Sequence, residues 1–177
     1  MTKVSKRQWQ QQLVNLGKTT DGLGLGIDPG IIELVAGLNL IGVNTTASCE
    51  GHLDWGLPYP WIDIEGIGAF ELNEKMQKVK ADSNDHKALI TQLIKINSVE
   101  VKKLFEILEE YNNQKSHTYR RILIIVPFGW GSGRFQPVGG VLAEISNKTE
   151  QTKQLEIFRN EIKQFSRFIK QKLGLIN

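Results

Sequence analysis

The feature that most narrows the fold is the run Ile122, Leu123, Ile124, Ile125 and Val126 within "YRRILIIVPF". Apolar, mostly β-branched residues without polar alternation fit a strand covered on both faces, hence a central strand. Long helical patterns flank it. Leu89, Leu93, Ile96, Leu104, Ile107, Leu108 and Tyr111 recur every three or four residues between 85 and 112, with a doubtful join near Asn97 and Ser98. Leu155, Phe158, Ile162, Phe165, Ile169 and Leu173 repeat in the same way from 148 to 173, and the basic residues among them, Lys153, Arg159, Lys163, Arg167, Lys170 and Lys172, read as a solvated face. These patterns predict an α/β or α+β fold. A single domain spans 1–177, with one small mixed sheet of three to five strands and helices packed on it.

Shorter signals fill in the rest. Residues 4–17 read as an amphipathic helix, with Val4, Trp9, Leu13 and Leu16 on its apolar side. In "DPGIIELVAGLNLIG", Asp28 is placed to cap a helix and Pro29 suits its first position. Strands are expected over Val43–Ser48 and in "WIDIE", where Trp61, Ile62 and Ile64 interleave with Asp63 and Glu65. Residues 69–80 read as helical, "GWGSGRFQPVGG" as a Gly-rich loop, and "VLAEIS" as one more strand.

Bulk properties bound the function. Apolar residues make up 40% and charged residues 23%, a globular composition. The net charge of +3 permits RNA or phosphate as a partner without requiring it. The single Cys rules out an internal disulfide and fits a reducing cytoplasmic setting. The start, "MTKVSKRQWQQQ", lacks the apolar centre of a signal peptide. No apolar run approaches the ~18 residues needed to cross a membrane.

The densest chemistry lies in "TTASCEGHLDWGLPYPWIDI", residues 45–64. Thr45, Thr46 and Ser48 supply hydroxyls at a strand end, where free backbone N–H groups also gather, a combination that suits an anion. Gly51 lets the backbone approach a ligand closely. His52 and Glu50 are candidate proton carriers near neutral pH. Cys49 is a candidate contact, or a small buried hydrophobe. Trp55, and Trp130 in the second Gly-rich loop, offer flat faces for a base or sugar. Arg134 follows in that second loop and is suited to gripping a carboxylate or phosphate. Cys49, His52, Glu50 and Asp54 are ligand types for zinc, but no second Cys/His pair follows, and His86 and His117 sit in polar segments. No complete metal site is therefore expected, which leaves open an incomplete one completed by substrate or water.

"SCEGH" followed by a Pro-Trp strand resembles small bacterial proteins of unknown function. More distantly, "GIDPGIIELVAGLN", "NTTASCEGH" and "PWIDI" resemble the N-terminal part of the tRNA wybutosine-synthesising methyltransferase family. The residues that carry this likeness are Asp28, Leu38, Asn39, Thr45, Thr46, Ser48, Cys49, Gly51 and Trp61, within 26–64. His52 stands where that family has Arg, Ala47 where it has Ser, and "LDWGLPYP" is an insertion. The resemblance implies a related fold in this region and a pocket, with S-adenosylmethionine as an implied cofactor.

The leading expectation is a cytoplasmic protein with an anion- or nucleotide-binding pocket. Its walls are the 45–55 and 128–136 loops, with Thr46, Ser48 and Arg134 holding the anion and His52 and Glu50 moving protons. One alternative is an S-adenosylmethionine-dependent RNA-modifying methyltransferase. The other is a non-catalytic protein whose long helices form a homodimer or partner interface, with Phe158 and Ile162 in the contact.

Overall fold

The computed structural model describes residues 3–21, 23–114 and 118–176, so His117 lies outside the described residues. Six helices and four strands follow one another among these residues. They are α1 (Lys6–Leu16), α2 (Ile32–Leu40), β1 (Thr45–Cys49), β2 (Trp61–Ile64), α3 (Ala69–Gln77), α4 (Asn84–Asn113), β3 (Leu123–Phe128), β4 (Ser132–Pro137), α5 (Gly140–Glu144) and α6 (Lys148–Lys172). The strands form one sheet in the order β1-β2-β4-β3, and every neighbouring pair is antiparallel. The four strands fall within the expected range. The pairing is antiparallel throughout instead of mixed, which makes the fold α+β.

The run that looked most like a central strand is β3, at the sheet's edge. The central place goes to β4, "SGRFQP", which the sequence suggested was loop. Local composition misleads here because β4 trades side-chain bulk for close approach. A Cβ on Gly133 would stand 2.4 Å from Ile125 Cγ2, so the strand needs a residue without one. Phe135, fully buried opposite Ile62 and Ile125, supplies the apolar anchor.

"VLAEIS" is also corrected, since most of it belongs to α5. Its apolar residues face both ways. Ala143 is buried, whereas Val141, Leu142 and Ile145 are exposed. Gly140 lies flat against the Tyr59 ring.

Asp28 does not cap α2, whose N-cap is Ile31 with no side-chain cap. Its backbone carbonyl accepts from the N–H groups of Ile31 and Ile32, which leaves the carboxylate free for other partners.

The core lies between the inner sheet face and the helices. Ile62, Ile64, Leu123 and Phe135 meet Leu104, Leu108 and Tyr111 of α4 and Phe165 and Ile169 of α6. Phe165 stacks on Phe135 at 5.4 Å and meets Tyr111 edge-on at 4.9 Å. Each such buried side chain contributes roughly 1.5–3 kcal/mol of transfer free energy. Phe158 and Ile162, expected in a partner contact, are 1% and 2% exposed: Ile162 belongs to this core and Phe158 to a smaller buried cluster with Tyr59 and Ala143.

α4 runs unbroken through Asn97 and Ser98. Its polar interruptions are staples. Asn97 accepts from the Gly66 N–H and donates to the Trp130 carbonyl, and Glu100 accepts from the Asn44 N–H. Among the described residues, no helix is long and apolar enough to cross a membrane.

Candidate functional site

The strand register separates the two loops expected to face each other. Cys49 pairs with Trp61 at one end of the sheet, whereas Ile64 pairs with Gly133, and Phe128 with Ser132, towards the other. Three residues of strand span about 10 Å, and the 129–131 hairpin turn lies beyond that. The 49–55 loop and the 129–131 turn therefore lie at opposite ends of the sheet and do not form one cleft, although Thr45 at the start of β1 pairs with Ile64 near the 129–131 end.

Arg134 is committed elsewhere. It sits within β4 and grips Asp63 on β2 through Nε–Oδ1 at 2.7 Å and Nη2–Oδ2 at 2.8 Å. Its guanidinium lies 4.1 Å from the centre of the Trp61 ring and 4.9 Å from that of Phe128. Trp130 stands in the hairpin turn, half-exposed, with its backbone at φ 43°. Neither residue joins the 45–55 segment.

Several residues of the first segment do come together. The Asp28 turn and the Cys49–Gly51 turn bind each other reciprocally. The Glu50 N–H donates to Asp28 Oδ2 at 2.9 Å, and the Gly30 N–H donates to Glu50 Oε2 at 2.6 Å. His52 Nε2 lies 3.2 Å from the same Asp28 oxygen. The Cys49 sulfur accepts from the Gly51 N–H at 3.3 Å. One donor atom each from Asp28, Cys49 and His52 falls within 4.8 Å of the others. The His52 ring is stacked on Trp55, with centroids 3.9 Å apart and planes 17° from parallel. Trp55 keeps 58% of its surface exposed.

Two residues that sequence reasoning assigned otherwise complete the arrangement. Asp28 had read as a helix cap. Arg159 of α6 had read as part of a solvated basic face. Its Nη2 donates to Glu50 Oε1 at 2.8 Å and to the Gly51 carbonyl at 2.6 Å, and its Nε donates to the Glu50 carbonyl at 3.1 Å. Glu50 is thereby an anchor for the loop, tied to an arginine and a backbone amide. Only a signal of long-range pairing would have found Arg159, which lies 109 positions from Glu50. For Asp28 a faint cue existed: Pro29 and Gly30 follow it and shape a turn.

Gly51 holds the turn at φ 83°, where a Cβ would stand 2.7 Å from Leu155 Cδ1 and from the Tyr59 carbonyl carbon. This is the close approach its sequence context suggested, but to the protein's own backbone.

The hydroxyls are less concentrated. Thr45 Oγ1 donates to Asn39 Oδ1 at 3.0 Å, Thr46 is exposed, and Ser48 is partly buried.

The electrostatics weigh against a nucleophilic thiol. Burial pushes the Cys49 thiol up, the Gly51 amide partly offsets this, and the carboxylates of Asp28 and Glu50 push it further up. A reactive cysteine needs the opposite shift. An anion also gains little here: Asp28 and Glu50 bring two carboxylates, and Arg159 is already spent on Glu50.

A recess of about 460 Å³ lies elsewhere, between α3 and α4, lined by Lys75, Val79, Asp85 and Leu89 among others. It holds none of the residues above and brings together no set of groups suited to chemistry. No protein family, no curated protein and no solved structure matches this chain.

Proposed function

We propose that this protein binds a small molecule at the end of the sheet where the 28–30 turn, the 49–57 loop and Arg159 meet. The observation that carries this reading is the convergence of Asp28, Cys49 and His52, drawn from two turns more than twenty positions apart, beside an exposed indole. Trp55 is covered by His52 on one face, so its other face is available to stack on a flat ring such as a nucleobase. Asp28 orients the His52 ring, which can then donate to or accept from a polar group of the ligand. The test is a titration of isotope-labelled protein with nucleotides and S-adenosylmethionine, followed by amide chemical shifts. Shifts at 28–30 and 49–57 support the reading. Shifts confined to 129–134, or none with any compound, overturn it.

One observation favours the methyltransferase alternative. Among the residues that carry the resemblance, Asp28 binds the turn next to Cys49 and Gly51, and Asn39 binds Thr45. That alternative requires S-adenosylmethionine to outcompete nucleotides in the same titration and RNA to bind nearby. Without preference for that cofactor it falls.

A further inference from the structure

We infer that Asp28, Cys49 and His52 form a binding site for a divalent transition-metal ion of the zinc class, with one coordination position left open for a small molecule. The inference deepens the reading above and rests on it for the open position, but the ion's three protein ligands stand on their own geometry.

The donor set comes first. A thiolate, an imidazole nitrogen and a carboxylate oxygen are ligands that zinc and cobalt(II) accept together, whereas magnesium and calcium favour oxygen alone. Three protein donors plus an exchangeable position is the pattern of sites that hand the ion to a substrate or water. The spacing comes second. Tetrahedral ligands at ordinary zinc distances lie about 3.3–3.6 Å apart. His52 Nε2 and Asp28 Oδ2 already stand 3.2 Å apart, and all three donors lie within 4.8 Å. Closing the site needs shifts of an ångström or so in side chains on two turns.

The surroundings come third. Each anionic donor carries a backbone amide that would steady it as a ligand: the Glu50 N–H on Asp28 and the Gly51 N–H on Cys49. The Trp55 ring fixes the plane of the imidazole. Arg159 neutralises Glu50 and draws it aside, so Glu50 supports the turn and leaves the three donors to the ion. On binding, the Cys49 thiol releases its proton to solvent, and the His52 Nε2 lone pair turns to the metal with any ring proton held on Nδ1.

The test uses the full chain, treated with a chelator and then titrated with cobalt(II). Because the protein has a single Cys, a thiolate-to-cobalt charge-transfer band in the wild type reports on Cys49 without any variant. The expected result is a band that saturates at one ion per chain, is displaced by zinc, and is lost in C49S. D28N and H52A are each expected to weaken cobalt binding at least about tenfold. Absence of the band, or a band that D28N and H52A leave unchanged, overturns the inference. If nucleotides still shift the 49–57 amides of chelator-treated protein while no band forms, the metal falls and the binding site stands. If the band forms and no small molecule perturbs the loop, the metal stands and the reading above falls.

Discussion

Two arginines divide the molecule between them. Arg134 sits in the Gly-rich stretch that looked like a ligand loop, yet it is locked to Asp63 across neighbouring strands and layered between Trp61 and Phe128. Arg159 lies on a helix face that looked solvated, yet it reaches three oxygens of the Glu50–Gly51 turn. Both make charge-assisted bonds. The difference is what they hold: Arg134 joins strands that the ladder already pairs, whereas Arg159 holds a loop without regular hydrogen bonding. An arginine's neighbours along the chain say little about which of these it does.

The largest effect expected of that division comes from the turn Arg159 holds. G51A forces a side chain onto the Tyr59 backbone at positive φ, and should cost about 3 kcal/mol in urea unfolding. G129A, in the distant hairpin turn with open space around it, should cost only about 1 kcal/mol. Equal losses would break the contrast.

Next comes the strand pair. D63A strands a guanidinium that is 21% exposed and should cost about 2 kcal/mol, whereas D63L/R134M together should cost less than D63A alone. Neither change should move the 49–57 amides.

R159Q reverses that pattern. With 37% of its side chain exposed, Arg159 is well screened, and its loss should cost only about 1 kcal/mol. The amide spectrum of 49–52 should nevertheless change, and binding at that turn should weaken. A silent spectrum would remove Arg159 from the site.

The smallest effect concerns Glu65, directly after β2. Burial and the charge of Asp63 hold the Glu65 carboxyl above its ordinary range, so its charged form destabilises the fold at neutral pH. E65Q should therefore raise stability at pH 7 by a fraction of a kcal/mol. The gain should fade as pH falls through the raised value and vanish below the ordinary Glu range, about pH 4. A gain that persists in acid would point to packing instead of charge.

Much of the fold was legible. The helical stripes of α4 and α6 stand where periodicity put them, and strands lie at "WIDI", though with Asp63 buried, and at Thr45–Cys49, slightly later than expected. The errors were of one kind. Apolar residues make β3 resemble a central strand, Gly133 and Arg134 make β4 resemble a loop, and crowded apolar residues make α5 resemble a strand. In each case a packing partner outside the element decides: Ile125 against Gly133, Asp63 against Arg134, Tyr59 against Gly140. The polar crowding around Cys49 was visible, but its link to Asp28 and Arg159 was not.

By itself the sequence determined most of the helices and strands, a fold that combines both, and the segment that concentrates unusual side chains, because propensity and periodicity act over a few neighbouring residues. Tertiary structure alone decided strand order, which loops share an end of the sheet, and which arginine meets which carboxylate. Those outcomes depend on register and on contacts between residues up to 109 positions apart, which no local pattern records.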